Sequence, residues 1–202
     1  MKNQIQENVF LNHFDVSRET MSKLSQFSRI LISQNQKVNI IGNSTTKNIW
    51  IRHFADSAKI FTILENLDKG CQKKRFLCDV GTGGGLPGFV LAILNQEKRL
   101  KIKFTLIDSN RKKFEFLNKV AKELDLDVHI INDRVENMKQ KQDIITARAV
   151  APLNKFFDYT RPIIKEDSVL ILPKGKTWKK EANELKKKWR YDVNIVTNNK
   201  II

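Results

Sequence analysis

The chain has 202 residues, 41% hydrophobic and 29% charged, with 37 Lys and Arg against 22 Asp and Glu, a formal charge of +15. That length suits one domain, or one domain with a small extension, and the apolar share is enough for a full core. Two cysteines (Cys71 and Cys78) are too few for a disulfide scaffold, no CxxC or Cys/His cluster marks a metal, and no apolar run reaches the ~18 residues of a membrane span. The basic excess favours a polyanionic partner, nucleic acid above all; the plainer reading is a solvated Lys-rich surface. The N-terminal stretch MKNQIQENVF is polar and has no signal-peptide core, so a soluble, reducing, cytoplasmic setting is expected.

The first 65 residues read as helical. Asp15 and Ser17 can cap a helix whose apolar residues Met21, Leu24, Phe27 and Leu31 follow helical spacing. Asn43-Ser44-Thr45-Thr46 breaks the pattern, and a second helix then carries Trp50, Phe54, Ala58, Phe61 and Leu64 on one face. Residues 66–75 read as a linker. From Phe76 the pattern changes to strand alternating with helix. Strands are predicted at 76–80, 103–107, 128–132, 143–147, 168–172 and 191–196, with helices near 86–96, 110–124, 152–164 and 176–189. Such alternation means βαβ units, hence an α/β fold whose mostly parallel sheet carries helices on both faces.

Five of the eight glycines fall between Gly81 and Gly88, directly after the first predicted strand. A glycine turn there lets a ligand approach the backbone closely. Two frames fit. Gly83 to Gly88 matches G-x-G-x-x-G, the dinucleotide fingerprint, which alone is weak. Asp79 to Gly85 matches the acid-x-G-x-G-x-G pattern of S-adenosylmethionine (SAM) sites. Charge separates them: Asp79 would repel a pyrophosphate, whereas SAM presents an ammonium and a sulfonium that a carboxylate favours. A plain tight turn with a capping acid is the bland alternative.

Further signals sit at the ends of later strands. Asp108 ends the second, where an acid can accept both hydroxyls of a ribose; it also suits the N-cap of the next helix. Val135 and Glu136 follow the third strand, where a loop would flank an adenine. Arg148 ends the fourth, in an otherwise apolar setting where an arginine needs a partner. Cys78, inside a predicted buried strand, reads as a small hydrophobe.

Four blocks then resemble one family: QKVNIIGNSTTKNIWIRHFADS (36–57), DVGTGGGLPGFVLAI (79–93), LIDSNRKKFEFLNKVAKEL (106–124), and RVENM with TARAVAPLNKFFD (134–158). LPKG (172–175) adds a weaker fifth. The family is the bacterial small-subunit rRNA guanine-N7 methyltransferase RsmG, also known as glucose-inhibited division protein B. The resemblance implies a Rossmann-like, SAM-dependent methyltransferase fold, with residues 1–70 as a helical extension and 71–202 as the SAM-binding domain. It implies methylation of guanine N7 in the decoding region of 16S rRNA. The partner would be that RNA or the assembling small subunit, with no metal, no membrane and a monomeric chain. Carried over residue by residue, the family's SAM contacts fall on Gly81, Leu86, Val135, Glu136 and Arg148, while Asp79 and Asp108 match the motif acids. One departure is the end: the chain stops at NNKII, so a closing antiparallel strand would be very short or truncated.

Arg52, His53 and Asp56 share roughly one helical face and either close over the site, contact RNA, or form a simple Arg52–Asp56 packing pair. The Lys-rich stretch 174–190 reads as a phosphate tracker or a solvated face, and only Lys174 lies in a family-like block. Phe89, Phe156 and Phe157 can stack on a base, though core packing explains each. Methyl transfer to guanine N7 uses an existing lone pair and removes no proton, so no general base is expected, and His53 is the only reasonable candidate among three histidines. The residues alone leave open a SAM methyltransferase with another substrate and, more remotely, a nucleotide-binding oxidoreductase or a non-catalytic RNA-binding module.

Overall fold

The computed structural model describes residues 2–36, 40–42 and 48–197. The run Asn43–Thr46 and the terminal residues 198–202 lie outside them. Two helices open the chain, α1 (Lys2–Leu11) and α2 (Arg18–Asn35). Ser17 caps α2, its hydroxyl accepting the Thr20 N–H at 3.2 Å; Asp15 takes no part in the cap. A π-helical turn, Trp50–Phe54, leads into α3 (Ala55–Asp68).

The α/β part follows as β1 (Arg75–Val80), α4 (Gly88–Lys98), β2 (Ile102–Ile107), α5 (Arg111–Glu123), β3 (Val128–Ile131), a 3-10 turn (Val135–Asn137), β4 (Ile144–Thr146), α6 (Leu153–Thr160), β5 (Val169–Ile171) and α7 (Trp178–Leu185). All five strands pair in parallel, in the order β3-β2-β1-β4-β5. β1 is central, and Leu77, Cys78, Asp79 and Val80 are buried. The sheet order reverses at β1: the chain steps outward to β2 and β3, then crosses back to β4. Ligands of open parallel sheets bind at such a switch point, beyond the carboxyl ends of the strands.

Alternation of strand side chains divides the interior in two. Leu77, Leu106 and Ile144 face a core that also takes Leu24, Phe27, Leu31, Trp50, Phe54 and Phe89. Cys78, Ile107 and Ile145 face a smaller core with Leu153, Phe156, Phe157, Ala182 and Leu185. Cys78 is therefore packing, and burial raises its thiol pKa far above the usual range. Helix α4 is buried from Gly88 through Leu94, because the sheet covers one side and the N-terminal helices the other. Phe27 joins these layers, stacked on Phe54 and edge-on to Phe89, each at 5.4 Å between ring centroids. Phe89, Phe156 and Phe157 are all core residues, 0%, 2% and 8% exposed, which removes them as base-stacking candidates.

The expected strand at 191–196 is not formed: residues 191–197 have no regular structure, and Val193, Ile195 and Val196 are exposed. The apolar alternation is present, but among the described residues no strand pairs with this segment, and a strand needs a ladder partner. Among the described residues no helix is long and apolar enough to cross a membrane.

Candidate active site

The glycine loop leaves β1 at the switch point and is held by two carboxylates. Asp79 is fully buried. Its Oδ2 accepts the Thr82 hydroxyl at 2.5 Å and the Gly88 N–H at 2.9 Å, so one oxygen fastens the start of the loop to the start of α4. Its Oδ1, equally buried, accepts nothing from the described residues. Burial pushes the Asp79 pKa up to about 7, and the hydrogen bonds from Thr82 and Gly88 only partly oppose this. The acid before the first glycine thus has a structural task, with one oxygen still unassigned.

Asp108, 8% exposed, secures the loop from the β2 side. Its Oδ2 accepts the Gly83 N–H and its Oδ1 the Asn110 N–H, both at 2.9 Å, with Lys113 Nζ at 3.8 Å. The helix cap expected of Asp108 belongs instead to Asn110, which accepts from the N–H groups of Lys112 and Lys113. A carboxylate offers about four acceptor positions, so Asp108 keeps capacity for hydroxyl donors.

Gly81 sits at φ +62°, and a Cβ there would stand 2.7 Å from Val150 Cγ2. Gly84 is glycine for a different reason: a Cβ would meet Ile40 Cγ2 at 2.8 Å and Leu31 Cδ1 at 3.1 Å. The N-terminal region therefore lies against the loop. The Asn35 side chain keeps it there, accepting the N–H groups of Ile40 and Ile41 at 2.7 and 2.8 Å. Leu86 points its side chain into the core (4% exposed) and donates its N–H to the Thr82 carbonyl at 3.1 Å. Beyond β3, Val135 is buried and Glu136 exposed, in a 3-10 turn at the same sheet edge.

Arg148 follows β4, half-buried, with Nη1 donating to the Arg52 carbonyl at 3.4 Å. Burial lowers its pKa, while the carboxylates of Asp56 and Asp79 act the other way. Ala149, next in sequence, takes φ +57°, a left-handed conformation uncommon for a residue with a Cβ and frequent near functional sites. The loop is braced from behind. Glu181 Oε2 accepts the Leu153 N–H at 3.0 Å and pairs with Lys174 Nζ at 2.7 Å, and Lys174 also reaches the Ala151 carbonyl. Lys174 is thus engaged in the fold, whereas Lys176, Lys179, Lys180, Lys186, Lys187, Lys188 and Arg190 are exposed.

The RHFAD segment comes to this same edge. His53 is 8% exposed, and neither ring nitrogen has a partner among the described residues. Its pKa is pushed down to about 4 by burial, then by the charges of Arg148 and Arg52. The Arg52–Asp56 packing pair is absent: no ion pair within 4 Å joins them. The spacing permits such a pair without requiring it, and Arg52 is exposed.

The structure thus places the glycine loop, Asp79, Asp108, the 135–136 turn and Arg148 along one carboxyl edge of the sheet, the crevice position of open parallel sheets. Its chemistry is a close backbone approach ringed by carboxylates, with one buried carboxylate oxygen unsatisfied. This donor set suits a nucleoside carrying positive charge and disfavours a pyrophosphate. Sequence reasoning missed the Ile40–Ile41 cover, the Val150 contact with Gly81 and the Glu181 brace; only the apolar pair Ile40-Ile41 hinted at the first. Among the described residues no group of three or more His, Cys, Asp or Glu is placed to hold a metal.

Comparison with known proteins gives the context. The sequence profile described as "GidB: rRNA small subunit methyltransferase G" matches residues 20–201. The Ribosomal RNA small subunit methyltransferase G of Ruegeria sp. (strain TM1040) is 34% identical over 185 residues, covering 91% of this chain and 87% of that one. The protein of the same name from Bartonella tribocorum is 37% identical over 181 residues, covering 88% and 81%. The Zymomonas mobilis protein is 37% identical over 187 residues, covering 91% and 82%. Among solved structures, a ribosomal protein L11 methylase from Lactobacillus delbrueckii subsp. bulgaricus shares the fold, with a TM-score of 0.53 at 15% identity over 71% of this chain and 74% of that one.

Proposed function

Because this chain belongs to the rRNA small subunit methyltransferase G family, we propose that it methylates N7 of a guanine in 16S rRNA, with SAM as the methyl donor. The observation that carries this reading is the glycine loop held at the switch point between Asp79 and Asp108. SAM supplies, when bound, a methyl group activated by a sulfonium.

The chain's own residues bind, orient and exclude. Asp108 accepts hydroxyls of the ribose, the glycine backbone at Gly81 lets the nucleoside approach with Leu86 packed beneath it, and Val135 and Glu136 flank its base. Asp79 and its unsatisfied oxygen favour the cationic end, and Arg148 closes the opposite wall. Residues 1–70 serve in this reading as the extension that covers the loop, and 71–202 as the catalytic unit.

No side chain here needs to take a proton. Guanine N7 has an in-plane lone pair and no hydrogen, so holding acceptor and methyl in line is sufficient. His53 fits that picture: with a pKa near 4 and both nitrogens enclosed, it stays neutral at physiological pH. A base buried in RNA must be unstacked or presented in a loop to reach this crevice. Calorimetry tests the site directly. SAM should bind and NADH should not, and tritium from labelled SAM should enter small-subunit RNA. NADH binding without SAM binding would overturn the assignment.

A further inference from the structure

His53, on the π turn, and Asp56, in the first turn of α3, are polar groups without a hydrogen-bond partner among the described residues. His53 is enclosed with both ring nitrogens unsatisfied. The half-buried Asp56 carboxylate accepts no hydrogen bond, and no ion pair within 4 Å, from the described residues. It is not a helix cap either. The chain is helical without a break from Ile49 to Asp68, so no free N–H groups surround it. Burial raises its pKa, against the pull of Lys59, Arg148 and Arg52. A carboxylate kept partly out of water without a hydrogen-bond donor is costly, and such groups concentrate where a ligand supplies the donors.

Topology indicates which ligand this is. Asp108 and the 135–137 turn stand on the β2–β3 half of the crevice. Arg148 follows β4, on the other half, within electrostatic reach of both Asp56 and Asp79. Asp56 therefore lies across β1 from the residues that flank the ribose and adenine, beside Asp79 and Arg148, where the donor's cationic end must meet the methyl acceptor. We infer that Asp56 is a specificity-determining residue that reads the Watson–Crick edge of the target guanine, its two carboxylate oxygens accepting N1–H and N2–H. The inference rests on the methyltransferase reading above.

The match is chemical. An ionised carboxylate only accepts, and its two oxygens lie side by side. Guanine presents two N–H donors side by side on that edge, whereas adenine places a bare acceptor nitrogen there. N7 lies on the opposite edge of the purine, so a base held in this way keeps N7 free.

The test uses the full chain, its Asp56→Ala and Asp56→Asn variants, and small-subunit RNA. The methylated position is first mapped with the parent protein, then supplied as guanosine or inosine. Inosine keeps N7 and N1–H but lacks the N2 amino group. On guanosine RNA, both variants should lose on the order of 10- to 100-fold in kcat/KM, the range of one bidentate base contact, mainly through KM. SAM affinity by calorimetry should stay within about twofold of the parent, which also shows that the variants fold. The parent should prefer guanosine to inosine, and Asp56→Ala should abolish that preference. An Asp56→Ala variant that keeps the parental guanosine-to-inosine ratio overturns the inference. So does an Asp56→Asn variant whose loss comes wholly from SAM affinity, which would assign the carboxylate to the donor's ammonium. If the parent methylates no guanine in the RNA, the functional reading fails first, and the inference with it.

Discussion

Replacing Asp79 by Asn keeps the acceptor that Thr82 and Gly88 use at 2.5 and 2.9 Å and removes the buried charge. Burial raises the folded-state pKa of Asp79 from 3.8 to about 7. A carboxyl raised in this way favours the folded, unliganded protein fully below about pH 4, and the benefit is lost as pH climbs through about 7. At about 1.4 kcal/mol per pH unit, that interval corresponds to about 4 kcal/mol. The Asp79→Asn variant has no such titration. Urea unfolding of parent and variant from pH 4.5 to 8.5 reads the difference directly, because every other group titrates equally in both. Relative to the variant, the parent should lose stability steadily with pH and level off above about 7. A bound cation reverses the sign: the extra stability SAM confers should grow with pH in the parent and stay constant in the variant. Parallel stability–pH curves for the two unliganded proteins would refute the reasoning, since the buried carboxyl would then titrate alike folded and unfolded.

Gly81→Ala places a Cβ at φ +62° and 2.7 Å from Val150, so it should cost about 1–3 kcal/mol in thermal unfolding and weaken SAM binding in calorimetry. Charge reversal of the exposed Lys186, Lys187 and Lys188 should lessen the salt dependence of RNA binding, each lost phosphate contact removing about 0.7 from the log–log slope; an unchanged slope would make this a solvated face. With SAM and RNA saturating, the single-turnover rate should be nearly flat from about pH 6.5 to 8.5, because His53 with a pKa near 4 does not titrate there and a bound cation keeps Asp79 ionised. His53→Ala should then lower activity without altering the profile, and a sigmoidal rise that it abolishes would show His53 acting as a base.

The parallel sheet was legible because β1, β2 and β4 are apolar runs that must be buried on both faces, and a residue of the site lies in or just after each: Asp79, Asp108 and Arg148. The segment at 191–196 carries the same local signal and stays unpaired, since alternation specifies a face and not a neighbour. Local competition explains the cap: Asp108, Ser109 and Asn110 are all good capping types, and backbone entry into α5 selects Asn110 while Asp108 turns to Gly83. The Arg52–Asp56 pair is absent because an i,i+4 spacing brings two side chains to one face but does not oblige an exposed arginine to pair. At the site, Asp79 was readable as a charge but not as a fastener, since its contacts with Thr82 and Gly88 depend on how the loop closes. The Glu181 brace joins residues 28 apart, a separation at which a single sequence carries no pairing signal.

The most direct measurement is of the product. Small-subunit particles and their naked RNA, from cells lacking this methyltransferase, are incubated with the protein and SAM. N7-methylguanine is then mapped by reduction and aniline cleavage, which cuts the strand only at that modification. The account predicts a single new cleavage site at one guanine, absent without SAM and lost in the Asp108→Ala variant. Methyl incorporation without N7 cleavage would contradict the acceptor, and no incorporation into either RNA would contradict the function.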